Sequence, residues 1–159
     1  IRDRNQGSLN MASLFNTYAK EHLAEATMDL DADTIKIALL TTDTTADTEA
    51  NVTTLSGFTT LGEFSTSGTN YARVTLSSIT SGVDTGNTRY EFSAANVTFS
   101  SLAASSPAKD IQGILVLKHV DGTDANDLPI AFIDFASDLT PDGSDVTIDW
   151  DTEGILQLA

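Results

Sequence analysis

The spacing of apolar side chains changes once along the chain, and the change separates a helical N-terminal segment from a β-rich remainder. From Ser13 to about Thr27, apolar residues recur every three or four positions, so this segment is predicted to form one amphipathic helix. Ser13 is the expected N-cap, and Asn16 or Thr17 would serve if the helix begins later. The predicted apolar face consists of Phe15, Tyr18, Ala19, His22 and Ala26.

Strict alternation begins at Ile35. One face of the predicted strand carries Ile35, Ile37 and Leu39, which we expect to enter the core, and the other face carries Lys36, Ala38 and Leu40. A second segment, Ile111–Val120, is apolar at nearly every central position. Such a run is typical of a strand that is buried on both faces, so we expect it to be a central strand under the helix.

The other predicted strands are short and are separated by turn residues at intervals of roughly 8–15 positions. They are Tyr71–Thr80, from which Arg73 is expected to project, Arg89–Ala94, Asn96–Ser100, Pro129–Phe135, Asp145–Trp150 and Ile155–Leu158. Ser81–Asn87 is predicted to be a turn or hairpin tip. Val52–Phe64, with a large apolar residue every three positions, is predicted to be a helical turn or an anchored loop. The fold class is therefore mainly β: an antiparallel β-sandwich or barrel-like sheet with one N-terminal α-helix packed on it.

Length and composition fit a single domain. The chain has 159 residues and no cysteine, which excludes disulfides and thiolate metal sites. Residues 12–159 are expected to form one β-rich domain, and residues 1–11 an N-terminal arm or a remnant of the expression vector.

The charge narrows the range of partners. Eight Lys and Arg face 23 Asp and Glu, giving a net charge of −15. A surface this acidic repels phosphate backbones, so no nucleic-acid partner is expected. No apolar run approaches the roughly 20 residues that a membrane-spanning helix needs, so no membrane partner is expected either.

Two acidic segments are the first candidates for ion binding. Asp29, Asp31 and Asp33 begin like a calcium loop, but Thr34 replaces the required glycine and Leu40 the required glutamate. We therefore expect a turn before the strand. A second oxygen-rich segment, which contains Asp121, Asp124, Asn126 and Asp127, is predicted to be a solvated hairpin turn, with weak divalent-ion binding as the alternative.

Catalytic motifs are missing from the sequence. It contains no nucleophile elbow, P-loop or dinucleotide-binding glycine pattern. His22 and His119 are far apart in sequence, and His22 is expected to be a half-buried packing residue. Asp149 and Asp151 flank Trp150 and are expected to face solvent. We therefore predict that the protein is not an enzyme and has no catalytic residues, no cofactor and no metal site.

Several segments together resemble a known family. They are the N-terminal helix, DLDADTIKIALL, GTNYAR at 68–73, NVTF at 96–99, ILVLKHVDGTDANDLPIAFIDF at 114–135 and DVTIDWDTEGILQL at 145–158. In this order they resemble a widespread family of small structural proteins of tailed bacteriophages, similar in some phages to capsid decoration or cement proteins. The resemblance covers most of residues 12–159, and residues 1–10 fall outside it.

The resemblance implies a virion structural protein that binds and stabilises the major capsid shell. The expected partners are the phage major capsid protein and further copies of the chain, as a homo-trimer. The expected location is the capsid exterior, with the host cytoplasm before assembly. A tail or neck component, such as a tube, adaptor or tip protein, is one alternative. The other is a module that binds host glycans, with Trp150, Tyr71 and Tyr90 as its stacking residues.

Overall fold

The computed structural model describes residues 13–158 and confirms the mainly antiparallel β-fold with one short helix near the N-terminus. Residues 1–11, the predicted arm, lie outside the described residues. The elements are β1 (Ser13–Phe15), α1 (Thr17–Ala24), β2 (Ile35–Thr41), a single 3-10 turn (Leu55–Gly57), β3 (Val74–Thr75), β4 (Thr80–Asp84), β5 (Arg89–Ser93), β6 (Val97–Phe99), β7 (Ile111–Lys118), β8 (Leu128–Leu139), β9 (Val146–Ile148) and β10 (Leu156–Leu158).

The main sheet has five antiparallel strands in the order β1-β8-β7-β2-β3. β7 therefore occupies the centre, as its apolar sequence predicts. Its residues Ile114 and Val116 contribute to one hydrophobic cluster, and Leu115 and Leu117 contribute to another on the opposite face. Because successive side chains of a strand point to opposite faces, an apolar run without interruption requires two separate apolar layers.

The first and larger core fills the space between the main sheet and two smaller sheets. These are a three-stranded sheet, β10-β5-β4, and a two-stranded ribbon, β6-β9. Ile35, Ile37 and Leu39 of β2 enter this core from the main sheet, and Phe92 and Phe99 enter it from the opposite side. The arrangement is sandwich-like, and the predicted inward face of β2 is confirmed.

The second core lies on the other face of the main sheet and is covered by a loop. Leu55 and Phe58 of the segment after β2 pack against Ala38 and Leu40 of β2. The single 3-10 turn lies within this cover. The prediction of a helical turn or anchored loop is therefore confirmed, except that Phe64 turns away and joins the first core.

The N-terminal helix is shorter than predicted. Ser13–Phe15 pairs with β8 as a strand, and the helix begins only at Thr17. Asn16, one of the alternative N-caps, accepts hydrogen bonds from the backbone N–H groups of Tyr18 (2.9 Å) and Ala19 (3.2 Å), which defines this start.

The predicted apolar face of the helix is largely wrong for the same reason. Phe15 belongs to β1, Tyr18 is 37% exposed, and Ala26 is exposed with a left-handed φ of 55° beyond the helix end. Ala19 is the buried residue of the helix, and Leu23 packs partly buried against the first core. The eight residues of α1 are too few to cross a bilayer, and the described chain holds no other α-helix.

The strand predicted at Tyr71–Thr80 and the hairpin tip predicted at Ser81–Asn87 are also corrected. Only Val74–Thr75 pairs with β2, and Thr80–Asp84 is itself a strand, β4. Asp84 explains the shift, because its side chain accepts hydrogen bonds from the N–H groups of Gly86 and Asn87 and so places the turn after β4.

Candidate functional site

The most concentrated set of charged side chains surrounds Arg73, at the corner of the main sheet where β3, β2 and β7 meet. Lys36 is the register partner of both Thr75 and Leu117. Side chains alternate along a strand, so Arg73 and His119, each two positions from these partners, lie on the same face of the sheet as Lys36. Together they line an open groove of about 580 Å³.

Arg73 joins three carboxylates that come from two other segments of the chain. Its guanidinium forms a two-pronged contact with Glu63, with Nε–Oε1 2.9 Å and Nη2–Oε2 2.5 Å. Nη2 also lies 2.6 Å from Asp124 Oδ1, and Nη1 lies 3.3 Å from Asp127 Oδ2. These contacts raise the pKa of Arg73, chiefly through the hydrogen bonds to Glu63, although partial burial opposes the effect. Arg73 is thus a permanent cation that ties distant segments together.

Asp127 is fully buried, which its place in a Gly- and Asp-rich hairpin turn did not predict. Desolvation disfavours its charged form, but the N–H of Val120 (2.8 Å) and Nδ1 of His119 (3.1 Å) donate to it, and these interactions lower its pKa overall. Because an ionised carboxylate only accepts hydrogen bonds, Nδ1 of His119 carries the proton. The expectation of a solvated turn is therefore wrong at this residue.

Tyr71 connects the charged network to the main core. Its hydroxyl donates to Glu63 Oε1 (2.7 Å) and accepts from the N–H of Leu39 (3.1 Å). Its ring lies edge-on to Phe64, with the ring centroids 5.8 Å apart. Burial, followed by the negative charge of Glu63, raises the pKa of the Tyr71 hydroxyl, so it remains a neutral donor.

The chemistry available at this network follows from these pairings. General acid–base catalysis needs a group whose pKa lies near the working pH and whose proton can reach a substrate. Both oxygens of Glu63 are held by Arg73 and Tyr71, Asp127 is buried with a lowered pKa, and the Tyr71 hydroxyl is a weaker acid than usual. The network therefore fixes the groove wall and leaves none of these groups poised for proton transfer.

A second charged cluster lies on the outer face of the three-stranded sheet. Asp84 and Arg89 are register partners, and Glu91 lies beside them, so all three project from one face. Arg89 contacts Glu91 (2.7 Å), Asp84 (3.7 Å) and Glu153. Within residues 13–158, these three carboxylates are the group close enough together to hold a metal ion. The guanidinium occupies the space among them, so a cation would have to displace it.

The segment that contains Asp29, Asp31 and Asp33 forms a turn, as expected, and its aspartate side chains accept hydrogen bonds from backbone N–H groups of the same turn. Asp29 Oδ1 accepts from the N–H of Asp31 (3.0 Å), and Asp33 Oδ2 accepts from the N–H of Asp29 (2.8 Å) and from Lys118 (2.7 Å). Desolvation opposes ionisation of Asp33, but the hydrogen bond and charge of Lys118 lower its pKa overall. Asp31 Oδ2 accepts from the Ser81 hydroxyl. The three carboxylates therefore bind the turn, Ser81 and Lys118, and they are not among the carboxylates close enough together to hold a metal ion.

The three aromatic residues considered for glycan stacking do not form one exposed platform. Tyr71 is 4% exposed. Trp150 packs partly buried against the first core and donates its indole N–H to the carbonyl of Ala95 (3.0 Å). Tyr90 is half-buried, and its hydroxyl donates to Ser81.

The remaining candidate residues have local roles. His22 is half-buried, as expected, with Nδ1 2.8 Å from Thr27 Oγ1. Asp149 accepts from Asn96 (2.5 Å) and is only half-exposed, whereas Asp151 is exposed.

Sequence reasoning missed the Arg73 network. The one signal of this network in the sequence was Arg73 itself, because the chain has eight Lys and Arg against 23 Asp and Glu.

Comparison of the chain with protein-family models, with curated proteins and with solved structures finds no match in any of the three.

Proposed function

We propose that this chain is a structural protein of a tailed-bacteriophage virion, most specifically a capsid decoration or cement protein that binds the outside of the major capsid shell. The observation that carries the proposal is that the charged side chains around Arg73 pair with one another. Arg73 forms ion pairs with Glu63 and with Asp127, which lie in distant segments of the chain. A satisfied network of this kind makes the fold rigid. A rigid domain with a large acidic surface suits a protein that acts by binding to other proteins.

The proposed mechanism is interfacial. Each copy sits across junctions between major capsid proteins and adds contacts that resist the pressure of the packaged DNA. The net charge of −15 keeps the protein soluble until it is recruited and favours basic surfaces on the shell. Copies associate as a homo-trimer, because a closed ring matches the symmetry axes of a capsid. The protein resides in the host cytoplasm until assembly.

A tail or neck component is the second candidate within the same class. Cryo-electron microscopy of intact particles, with antibody labelling of this chain, separates the two candidates by location. Density and label on the capsid exterior are expected. Particles that lack the protein should lose infectivity at lower temperature, or at lower chelator concentration, than complemented particles. Labelling of the tail together with unchanged tolerance would overturn the capsid assignment.

A further inference from the structure

The strand β4 (Thr80–Asp84) forms an open edge of the three-stranded sheet. It pairs with β5 on one side, and no other described residue makes a backbone hydrogen bond to its second side. Gly82, at its centre, faces space that is empty to at least 4 Å around an added Cβ. Val83 is 72% exposed, more than any other large apolar side chain between Phe15 and Leu158.

Protein edges of this kind are usually protected against pairing. Common devices are a proline, a lysine, a bulge or a covering loop. β4 has the sequence TSGVD, its register with β5 is regular over five pairs, and its charged residue, Asp84, stands at the end. By comparison, the outer strands of the main sheet, β1 and β3, are only three and two residues long. β4 is therefore well suited to accept an additional strand.

The two faces beside this edge have different chemistry. Thr80, Gly82 and Asp84 share the outer face with Arg89 and Glu91. Three carboxylates and one guanidinium cluster on that face, which leaves a surplus of negative charge. A depression of about 380 Å³ lies between β4 and the turn near Glu153. The opposite face presents Ser81 and the exposed Val83.

We propose that the β4 edge binds an extended basic segment of a partner protein, which adds as a fourth strand to the three-stranded sheet. The segment would place two basic residues, separated by one apolar residue, beside β4. The basic side chains would enter the acidic depression on the outer face, and the apolar side chain would cover Val83 on the other. Backbone hydrogen bonds would supply the pairing and the alternating side chains the selectivity.

Charge decides between this occupant and a second copy of the chain. Two β4 edges could pair with each other, but the acidic cluster beside one edge would then lie against the same cluster of the second copy. Like charges across an interface weaken binding, whereas a basic segment is attracted by the acidic cluster. The inference does not depend on where the protein acts in a particle, so its test can fail independently of the function proposed above.

The probe is the blocked peptide Thr-Lys-Val-Lys-Thr, and the control peptide has proline in place of the central valine. Both peptides carry the same charge, but proline cannot complete strand pairing. Titration into the isotope-labelled full chain should perturb the amides of Thr80–Asp84 and protect them from hydrogen exchange. The control peptide should bind at least tenfold more weakly. Equal binding of the two peptides, or no perturbation of β4 at saturation, would overturn the proposal.

Two variants test the edge and the charge separately. Val83→Lys should weaken peptide binding at least tenfold, whereas Val120→Lys, which makes the same charge change at another exposed valine, should leave it unchanged. Glu153→Gln should weaken binding about threefold and reduce its salt dependence, whereas Glu21→Gln on the exposed side of the helix should not. Equal effects within either pair would show only non-specific attraction and overturn the proposal. Dimerisation through β4 that grows stronger with added salt would identify a second copy as the occupant instead.

Discussion

Replacing Arg73 with methionine tests the role of the charged network directly. Methionine keeps much of the side-chain length but removes the cation from Glu63, Asp124 and Asp127. The side chains of Arg73 and Glu63 are 17% and 21% exposed, and that of Asp127 is 0% exposed. Breaking a fully buried ion pair costs about 3–5 kcal/mol, because the remaining charge stays buried without a partner.

The expected loss is somewhat smaller, because Glu63 is only partly buried and both carboxylates keep other donors. Glu63 retains the Tyr71 hydroxyl, and Asp127 retains His119 and a backbone N–H. The contact with Asp124, which is 45% exposed, contributes little because water screens it. We therefore expect Arg73→Met to lower the free energy of unfolding by about 2–4 kcal/mol. Arg73→Lys should cost about 1–2 kcal/mol, since one ammonium cannot reproduce the two-pronged contact with Glu63.

The assay is equilibrium unfolding in urea, followed by the fluorescence of Trp150, the one tryptophan in the chain. Its partly buried indole packs on the first core and should report global unfolding. The matched control is Lys109→Met, which removes a cation from Asp43 where the two side chains are 40% and 53% exposed. The control should lose less than about 1 kcal/mol. A loss for Arg73→Met no greater than that of the control would refute the reasoning.

Three further predictions concern acid stability, packing and helix capping. The lowered pKa of Asp127 stabilises the fold above the unfolded value of about 4, and this contribution is lost as pH falls toward the folded value. Asp127→Asn should therefore flatten the acid side of the urea midpoint plotted against pH, and an unchanged slope would contradict this. Gly113→Ala places a Cβ 2.3 Å from the carbonyl oxygen of Ile133 and should lower the free energy of unfolding by at least about 1–3 kcal/mol. The control, Gly82→Ala, meets empty space and should lower it by less than about 0.5 kcal/mol. Equal melting temperatures of the two variants would contradict the packing. Asn16→Ala should cost about 0.5–2 kcal/mol of unfolding free energy by urea titration, through loss of the N-cap, and no loss would show that the cap is not needed.

Local alternation was a reliable guide wherever a strand has a buried face. β2 and β7 follow their predicted faces because every second residue meets an apolar layer. The helix start was misjudged because Ser13, Leu14 and Phe15 also fit a strand, and the pairing with β8 decides their conformation. Tertiary pairing of this kind leaves no trace in a short window of sequence.

The charged network around Arg73 could not be predicted from the sequence, for a different reason. Arg73 lies 10, 51 and 54 positions from Glu63, Asp124 and Asp127. Periodicity describes neighbours along one element and says nothing about which polar groups meet across the fold. The sequence did place Asp124 and Asp127 in a turn, but burial of Asp127 depends on how that turn folds back over the sheet corner.

The pairing of β1 with β8 has a consequence for how the protein acquires its structure. Ser13 pairs with Ile133 across β1 and β8, and β2 likewise pairs with β7, which follows it by about 70 residues. During synthesis, the strand β1 therefore has no sheet to join until β8 has been made. Contacts so distant in sequence slow folding, because a large loop must close before they form. The completed domain should consequently form late, in one cooperative step once β8 and the strands after it have left the ribosome, and synthesis halted before β8 should leave an unfolded chain.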